Sequence, residues 1–430
     1  MKTAALGFQH LLAMYTGAVL IPLIVGGALG LSSAQLTYLV AIDILMCGVA
    51  TILQVLRTKW FGIGLPVVLG CTFTAIGPMI AIGGQYGISG IYGSILASGL
   101  LVVLLARFFG KMVRFFPTVV TGTVVTVIGI TLIPEAIKNM GGGEGASDFG
   151  SGLNLFLAFG TLAIIILLYR FTSGFTKAIA IMLGLVAGTI IAAFLGKLDF
   201  SAVGEADIFH MVEPFYFGMP TFHWSAILTM TLVAMVSVVE STGVYFAVSD
   251  MRNEQLDEKD LARGYRSEGL AIVLGGIFNA FPYTAFSQNV GLMNMTGVKS
   301  RKVILTTGIM LIVLGFIPKI AAITTIIPTP VLGGAMLAMF GMVIAQGIKM
   351  LSPVIQDSAE NSMIVACSIG MGLGVTAVPE LFTALPSGVQ ILTSNGIVAG
   401  SMTAIILNIV FHASPFKHEA ESNVETKKAS

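Results

Sequence analysis

Four ionisable side chains interrupt long apolar runs of this sequence: His10, Asp43, Glu240 and Glu268. If those runs lie in lipid, a charge at the centre of a helix costs roughly 2.5–3.5 kcal/mol, so each group needs a wet cavity, a polar partner or a proton. Glu240, in Val238-Val239-Glu240-Ser241-Thr242-Gly243, is the best placed for chemistry, because a desolvated carboxyl can take up or release a proton near neutral pH as its surroundings change. That property suits a substrate ligand coupled to proton movement. Structural roles compete at each position: a salt bridge to the neighbouring basic residues for Glu268 in Arg266-Ser267-Glu268-Gly269, a buried hydrogen bond for His10, and another for Asp43, which no motif accompanies. There is no HExxH and no pair of acids in one motif, and Cys47, Cys71 and Cys367 fall in apolar stretches without metal-ligand or disulfide spacing. The buried groups can hydrogen-bond and carry protons; they do not form a metal site or a nucleophile set.

The elements that must position them are membrane helices. Of the 430 residues 56% are hydrophobic and only 10% charged, against roughly 25% charged in soluble domains. A bilayer core ~30 Å thick takes about 20 residues per helix. Apolar windows separated by Gly, Pro or charge predict spans near 5–29, 34–56, 65–83, 87–110, 113–136, 152–172 and 175–196, then 223–247, 265–282, 284–297, 302–324, 328–350, 359–380 and 388–412. The apolar run after Lys2 has no small-residue cleavage site and reads as the first span; 413–430 reads as a disordered polar tail. The net charge of +1 gives no reason to expect a nucleic-acid partner.

Basic residues test the count, because cytoplasmic loops collect them. With the N-terminus inside, inside loops hold Arg57, Lys59, Arg107, Lys111, Arg114, Arg170, Lys177, Arg252, Lys259, Arg263, Arg266, Lys299, Arg301, Lys302 and Lys349, and outside loops only Lys138, Lys197 and Lys319. Both termini are then cytoplasmic, in a multi-pass protein of the cell membrane with fourteen spans.

The third span of each half is irregular. Pro66 is followed six residues later by Thr72, and Pro282 by Gln288. Matching interruptions at corresponding places are the mark of an inverted repeat whose half-helices meet at a midplane site, and extended backbone is tolerated at that depth only where protein or a cavity covers it. We therefore expect short extended segments in broken spans 3 and 10.

The stretch Gln288-Asn289-Val290-Gly291-Leu292-Met293-Asn294-Met295-Thr296-Gly297 resembles the signature of the nucleobase/ascorbate transporters: Gln or Glu, Asn, any residue, Gly, four variable residues, then Thr. Gln9-His10-Leu11-Leu12-Ala13-Met14-Tyr15 is similar to the family's first-span motif, and Glu268 keeps the family's spacing of twenty positions before the signature Gln. The resemblance covers 1–412.

The resemblance implies an all-α polytopic fold of the uracil-permease type, a 7+7 inverted repeat. Its core domain would be 1–110 and 223–325, and its gate domain 111–222 and 326–412. It further implies that Glu240 and Gln288 read the donor and acceptor edge of a purine, that Phe73 stacks on the ring, and that Ser287 and Thr72 belong to the binding site. His10, Glu268, Asn289, Gly291 and Thr296 would serve coupling and site architecture. No cofactor or metal is expected beyond the proton, and the family pattern is a homodimer. Gln288 and Gly297 resemble the purine carriers, with xanthine the first expectation, while Thr72, where many xanthine-selective members carry Asn, keeps urate open. Val244 departs from the Asp that many purine members carry four residues after the glutamate. The rival classes fit less well: an enzyme lacks its nucleophile, a channel would need more than a lone carboxyl beside an amide, and an anion carrier would favour a basic or neutral residue over Glu240.

Overall fold

The computed structural model describes residues 2–112, 117–209, 211–356, 358–386, 390, 393 and 395–412. The predicted tail, 413–430, lies outside them, as does most of 388–394 at the start of the last predicted span. The chain is mainly helical: α1 (Lys2–Ala28), α2 (Ser33–Val55), α3 (Ile76–Met112), α4 (Thr118–Met140), α5 (Gly152–Phe171), α6 (Gly174–Ala178), α7 (Ala180–Phe194), α8 (Ser201–Glu205), α9 (Trp224–Arg252), α10 (Glu258–Phe278), α11 (Ser287–Thr296), α12 (Arg301–Gly315), α13 (Pro318–Thr325), α14 (Thr329–Ile355), α15 (Ala359–Ala377) and α16 (Gly396–His412). Two short strands, β1 (Leu69–Cys71) and β2 (Tyr283–Ala285), form an antiparallel pair. Among the described residues seven helices are long and apolar enough to cross a membrane; α12 with α13 makes an eighth if the bent pair counts as one span.

Glycine explains how the helices come so close. On Gly48 of α2 a Cβ would sit 2.5 Å from the Gly308 carbonyl oxygen of α12, and on Gly99 of α3 it would sit 2.8 Å from the Val273 nitrogen of α10. Such small residues let backbones touch where no hydrophobic effect drives helices together in lipid. Two packing groups result. In one, α2 packs on α12 and α10, and α3 on α10 and α9; in the other, α4 packs on α14, which also meets α5 and α7, while α15 and α16 pair and both lie on α4.

Three boundaries differ from the hydropathy reading. The helix predicted from 265 starts at Glu258, because Asp257 and Asp260 close a capping box and acidic residues suit a helix N-terminus. Lys259, Arg263 and Arg266 therefore ride on its first turns and not in a loop, with Arg57 paired to Asp260 at 2.8 Å. The span read as 302–324 is bent by 81° between α12 and α13; Pro318, at the start of α13, cannot continue the ladder from the turn before it. The helix read as 175–196 is divided at Ile179 into α6 and α7. The expected separation near 83–87 is real: α3 is broken at Gly87, whose φ of 71° favours glycine.

Candidate functional site

The two proline-marked breaks meet in the middle of the fold. Leu69 faces Ala285, Gly70 faces Thr284 and Cys71 faces Tyr283, and every one of these residues is buried. Bonds from Thr72 N to Pro282 O (2.9 Å) and from Phe286 N to Val68 O (3.0 Å) extend the ladder at both ends. Pairing the two segments with each other answers the problem of bare backbone at membrane depth. The expected extended segments are present, and they serve as each other's partner. Beyond β1 a single 3-10 turn, Phe73–Ala75, leads into α3; beyond β2, α11 starts at Ser287. Two helical N-termini thus emerge beside one another from the crossing.

α9 braces the pair. Ser237 and Ser241 stand one turn apart on one face: Ser237 Oγ lies 3.0 Å from Thr74 Oγ1 and 3.2 Å from Thr72 Oγ1, while Ser241 Oγ accepts from Ala285 N at 2.9 Å and lies 3.1 Å from Thr284 Oγ1. Glu240, between them, is half-buried, and its carboxyl meets the Thr284 side chain. The Glu240 carboxyl therefore lies near the β2 end of the crossing.

Gln288, in the first turn of α11, is half-buried and lines a cavity of about 40 Å³ bounded by Thr16 and Gly17 of α1, Phe286, Met182 of α7 and Met339 of α14. The amide sits where the two packing groups face each other. Phe73 lies close by: its ring is 6.4 Å from that of Phe286 at an interplanar angle of 20°, and 5.9 Å from that of Phe340 on α14, nearly perpendicular. Phe286 packs flat on backbone, since a Cβ on Gly70 would come within 2.5 Å of its ring and one on Gly17 within 2.9 Å. A larger cavity, about 220 Å³, lies between the N-terminal turns of α2, the 205–216 segment and the α12–α13 elbow. It touches none of the predicted site residues, so volume alone does not locate this site.

The predicted residues divide by position. Glu240, Gln288, Phe73 and Ser287 gather around the crossing. Thr72 is fully buried behind it, its hydroxyl capping the 3-10 turn at Thr74 N and lying 2.6 Å from Thr74 Oγ1. Asn289 Nδ2 reaches the His10 carbonyl oxygen (2.9 Å) and Nδ1 (3.2 Å), tying α11 to α1. Glu268 is fully buried and accepts from Tyr245 Oη; among the described residues it makes no salt bridge. Thr296 is elsewhere, at the far end of α11, bonded to Leu292 O at 2.8 Å ahead of a left-handed Gly297. Gly291 is exposed, and a Cβ there would meet nothing.

Sequence reasoning missed Phe286 and the hydroxyls of Ser237, Ser241 and Thr284. It also left Asp43 without a partner. Asp43 accepts from Phe281 N at 2.9 Å and from the Cys71 thiol, so one carboxyl on α2 holds both sides of the crossing. Cys71 is accordingly a hydrogen-bond donor as well as a small buried residue. Its proximity to Asp43 arises from strand pairing over a long sequence separation, which spacing cannot reveal.

Comparison with known proteins agrees with this architecture. The model of a permease family, Xan_ur_permease, matches residues 1–381. A xanthine permease of Bacillus subtilis is 62% identical over 99% of this chain and 98% of its own length. The uric acid permease PucK of the same organism is also 62% identical, over 94% of each. Among solved structures, the transmembrane domain of the cyanobacterium bicarbonate transporter BicA matches with a TM-score of 0.65 at 18% identity, over 87% of this chain and 96% of that one, a likeness of fold. The chain belongs to this permease family, and it is a membrane-embedded transporter of the nucleobase/ascorbate type that its signature resembles.

Proposed function

We propose that this permease carries a purine base, xanthine by preference and urate as the alternative, inward across the cytoplasmic membrane in symport with protons. The single observation that carries the reading is the β1–β2 crossing, which sets two helical N-termini beside the Glu240 carboxyl and the Gln288 amide. A purine dione presents ring N–H donors and carbonyl acceptors on one flat edge. A carboxylate accepts the former, an amide serves both, and unpaired first-turn N–H groups answer the carbonyls. Phe73, with Phe286 beside it, supplies the aromatic face. The names of the relatives support a purine and divide between xanthine and urate. Glu240 and the aromatic face suit a heterocycle with ring N–H donors and not bicarbonate, the anion in BicA's name, despite the shared fold.

The reading takes the chain as fourteen spans in a 7+7 inverted repeat, with both termini cytoplasmic. The packing of α1–α3 with α9–α12, and of α4, α5 and α7 with α14–α16, supports the core (1–110, 223–325) and gate (111–222, 326–412) division. Alternating access is then movement of the core against the gate at the Gln288 cavity, with Phe340 leaving Phe73 as the site opens; two copies associate through the gate. Asn289 and His10 lock α11 on α1, and Glu268 tunes the site from behind.

Uptake of radiolabelled xanthine, urate and uracil in transporter-deficient cells, with and without a protonophore, tests it. Saturable xanthine uptake that the protonophore collapses is the expected result. Uracil uptake without xanthine uptake overturns the substrate, and accumulation indifferent to the protonophore overturns the coupling.

A further inference from the structure

Glu268 is fully buried, so its proton, if it moves, must move through side chains. Tyr245 Oη donates to its Oε1, and the Gln54 amide of α2 donates to that phenol oxygen. Gln54 thereby fills the acceptor side of the phenol and turns the one phenolic hydrogen toward Glu268. Oε2 has no hydrogen-bond partner among the described residues, yet Ser241, one turn before Tyr245 on α9, lies against this carboxyl. The Ser241 oxygen already accepts from Ala285 N, which leaves its hydrogen free, and Thr284 Oγ1 lies 3.1 Å away. Thr284 is the residue that meets Glu240. A row of neighbouring polar side chains, with the Ser241–Thr284 contact of 3.1 Å at its centre, therefore lies between the half-buried Glu240 and the buried Glu268.

We propose that Thr284 and Ser241 form a two-hydroxyl bridge passing one proton between Glu240 and Glu268, with Tyr245 and Gln54 positioning the receiving carboxyl. The inference rests on the proton-symport reading above. Glu240 gives its proton to Thr284 Oγ1, the Thr284 hydrogen passes to Ser241 Oγ, and the Ser241 hydrogen passes to the Glu268 carboxylate as the two side chains close on each other. Both hydroxyls end neutral with their direction reversed, and the negative charge moves from Glu268 to Glu240. Among the described residues, Tyr245 and Tyr265 are the other titratable groups beside the pair, Tyr265 being held by Thr242 at 2.6 Å. α2 contributes the neutral Gln54, and α3 meets α10 there through Gly99 and Val103. Val244, buried one turn beyond Glu240, is apolar, so the hydroxyls are the route.

In proteoliposomes, xanthine counterflow needs no net proton movement, whereas accumulation driven by an imposed proton gradient does. Tyr245→Phe is expected to keep counterflow within about twofold of wild type while gradient-driven accumulation falls about tenfold or more; Ser241→Ala, which also removes the acceptor of Ala285 N, is expected to lower accumulation about tenfold further than counterflow, and Ser241→Thr is expected to restore accumulation. Tyr245→Phe keeps the ring packing and carries the test should Ser241→Ala fail to fold. Equal losses in both assays, or accumulation left intact, overturn the bridge. A wild-type protein indifferent to the gradient overturns symport itself, and the bridge with it.

Discussion

The two crossing segments are alike in backbone and opposite in how they end. Around β1 hydroxyls hold the backbone: Thr51 Oγ1 bonds both the nitrogen (3.0 Å) and the carbonyl oxygen (3.2 Å) of Leu69, and Thr72 caps the turn that leads into α3. After β2 the chain enters α11 through Phe286, which provides no side-chain cap. The first-turn N–H groups of a helix have no partner within it, and here Ser287 and Gln288 are half-buried around them while Thr72 and Thr74 are sealed. On the proposed reading, the β1 segment is a brace and the β2 segment the binding edge. On that reading, the uncapped start of α11 beside the capped turn after β1 is the ligand side of the crossing.

The most damaging test of that contrast is on the open side. Glu240→Gln and Gln288→Ala are each expected to lower xanthine uptake at least about tenfold, the weight of a hydrogen bond to a charged or well-placed polar partner, with little change in thermal stability in detergent. Retention of full transport by Glu240→Gln would remove the central assignment. On the braced side the expectation reverses. Asp43→Ala leaves the Phe281 nitrogen and the Cys71 thiol without their acceptor and should cost about 1–3 kcal/mol of stability, read as a lowered Tm, and transport should fall with the amount of folded protein. Gly70→Ala drives a methyl into the Phe286 ring; overpacking costs on the order of 1–3 kcal/mol. Because Phe286 belongs to both sides of the contrast, Gly70→Ala should also weaken xanthine binding, and the Gly70→Ala, Phe286→Leu double variant should recover stability without recovering affinity.

Much of this was legible in the sequence because it depends on local rules. Pro66 and Pro282 announced the breaks; Glu240 stood out as an acid inside an apolar run, and Gln288 through the signature that its stretch resembles. What was hidden has one cause: partners that are distant in the chain. Ser237, Ser241 and Thr284 read as small helix-packing residues until strand pairing sets β2 under α9, and Phe286 reads as ordinary hydrophobic filler until Gly17 and Gly70 make a floor for its ring. The α12–α13 elbow was hidden for a different reason. Pro318 follows a run apolar enough to pass as one helix, and hydropathy averages over direction.

The smallest expected effect concerns the far end of the signature. Thr296 stands eight residues beyond Gln288 along α11, about 12 Å at the helical rise per residue, where its hydroxyl bonds back to Leu292 O and receives Val298 N at 3.4 Å. Those bonds finish a helix and face no part of the Gln288 cavity. Thr296→Ala should therefore change stability by no more than about 0.5 kcal/mol, the usual range for substitutions away from buried networks, and leave the KM for xanthine within about twofold. The signature then combines two physical jobs, a reading edge at Gln288 and a helix stop at Thr296 and Gly297, joined because α11 must be short for its start to sit at the crossing. A KM raised tenfold by Thr296→Ala would place substrate along the whole of α11, and the division between an open edge and a mere helix end would have to be redrawn.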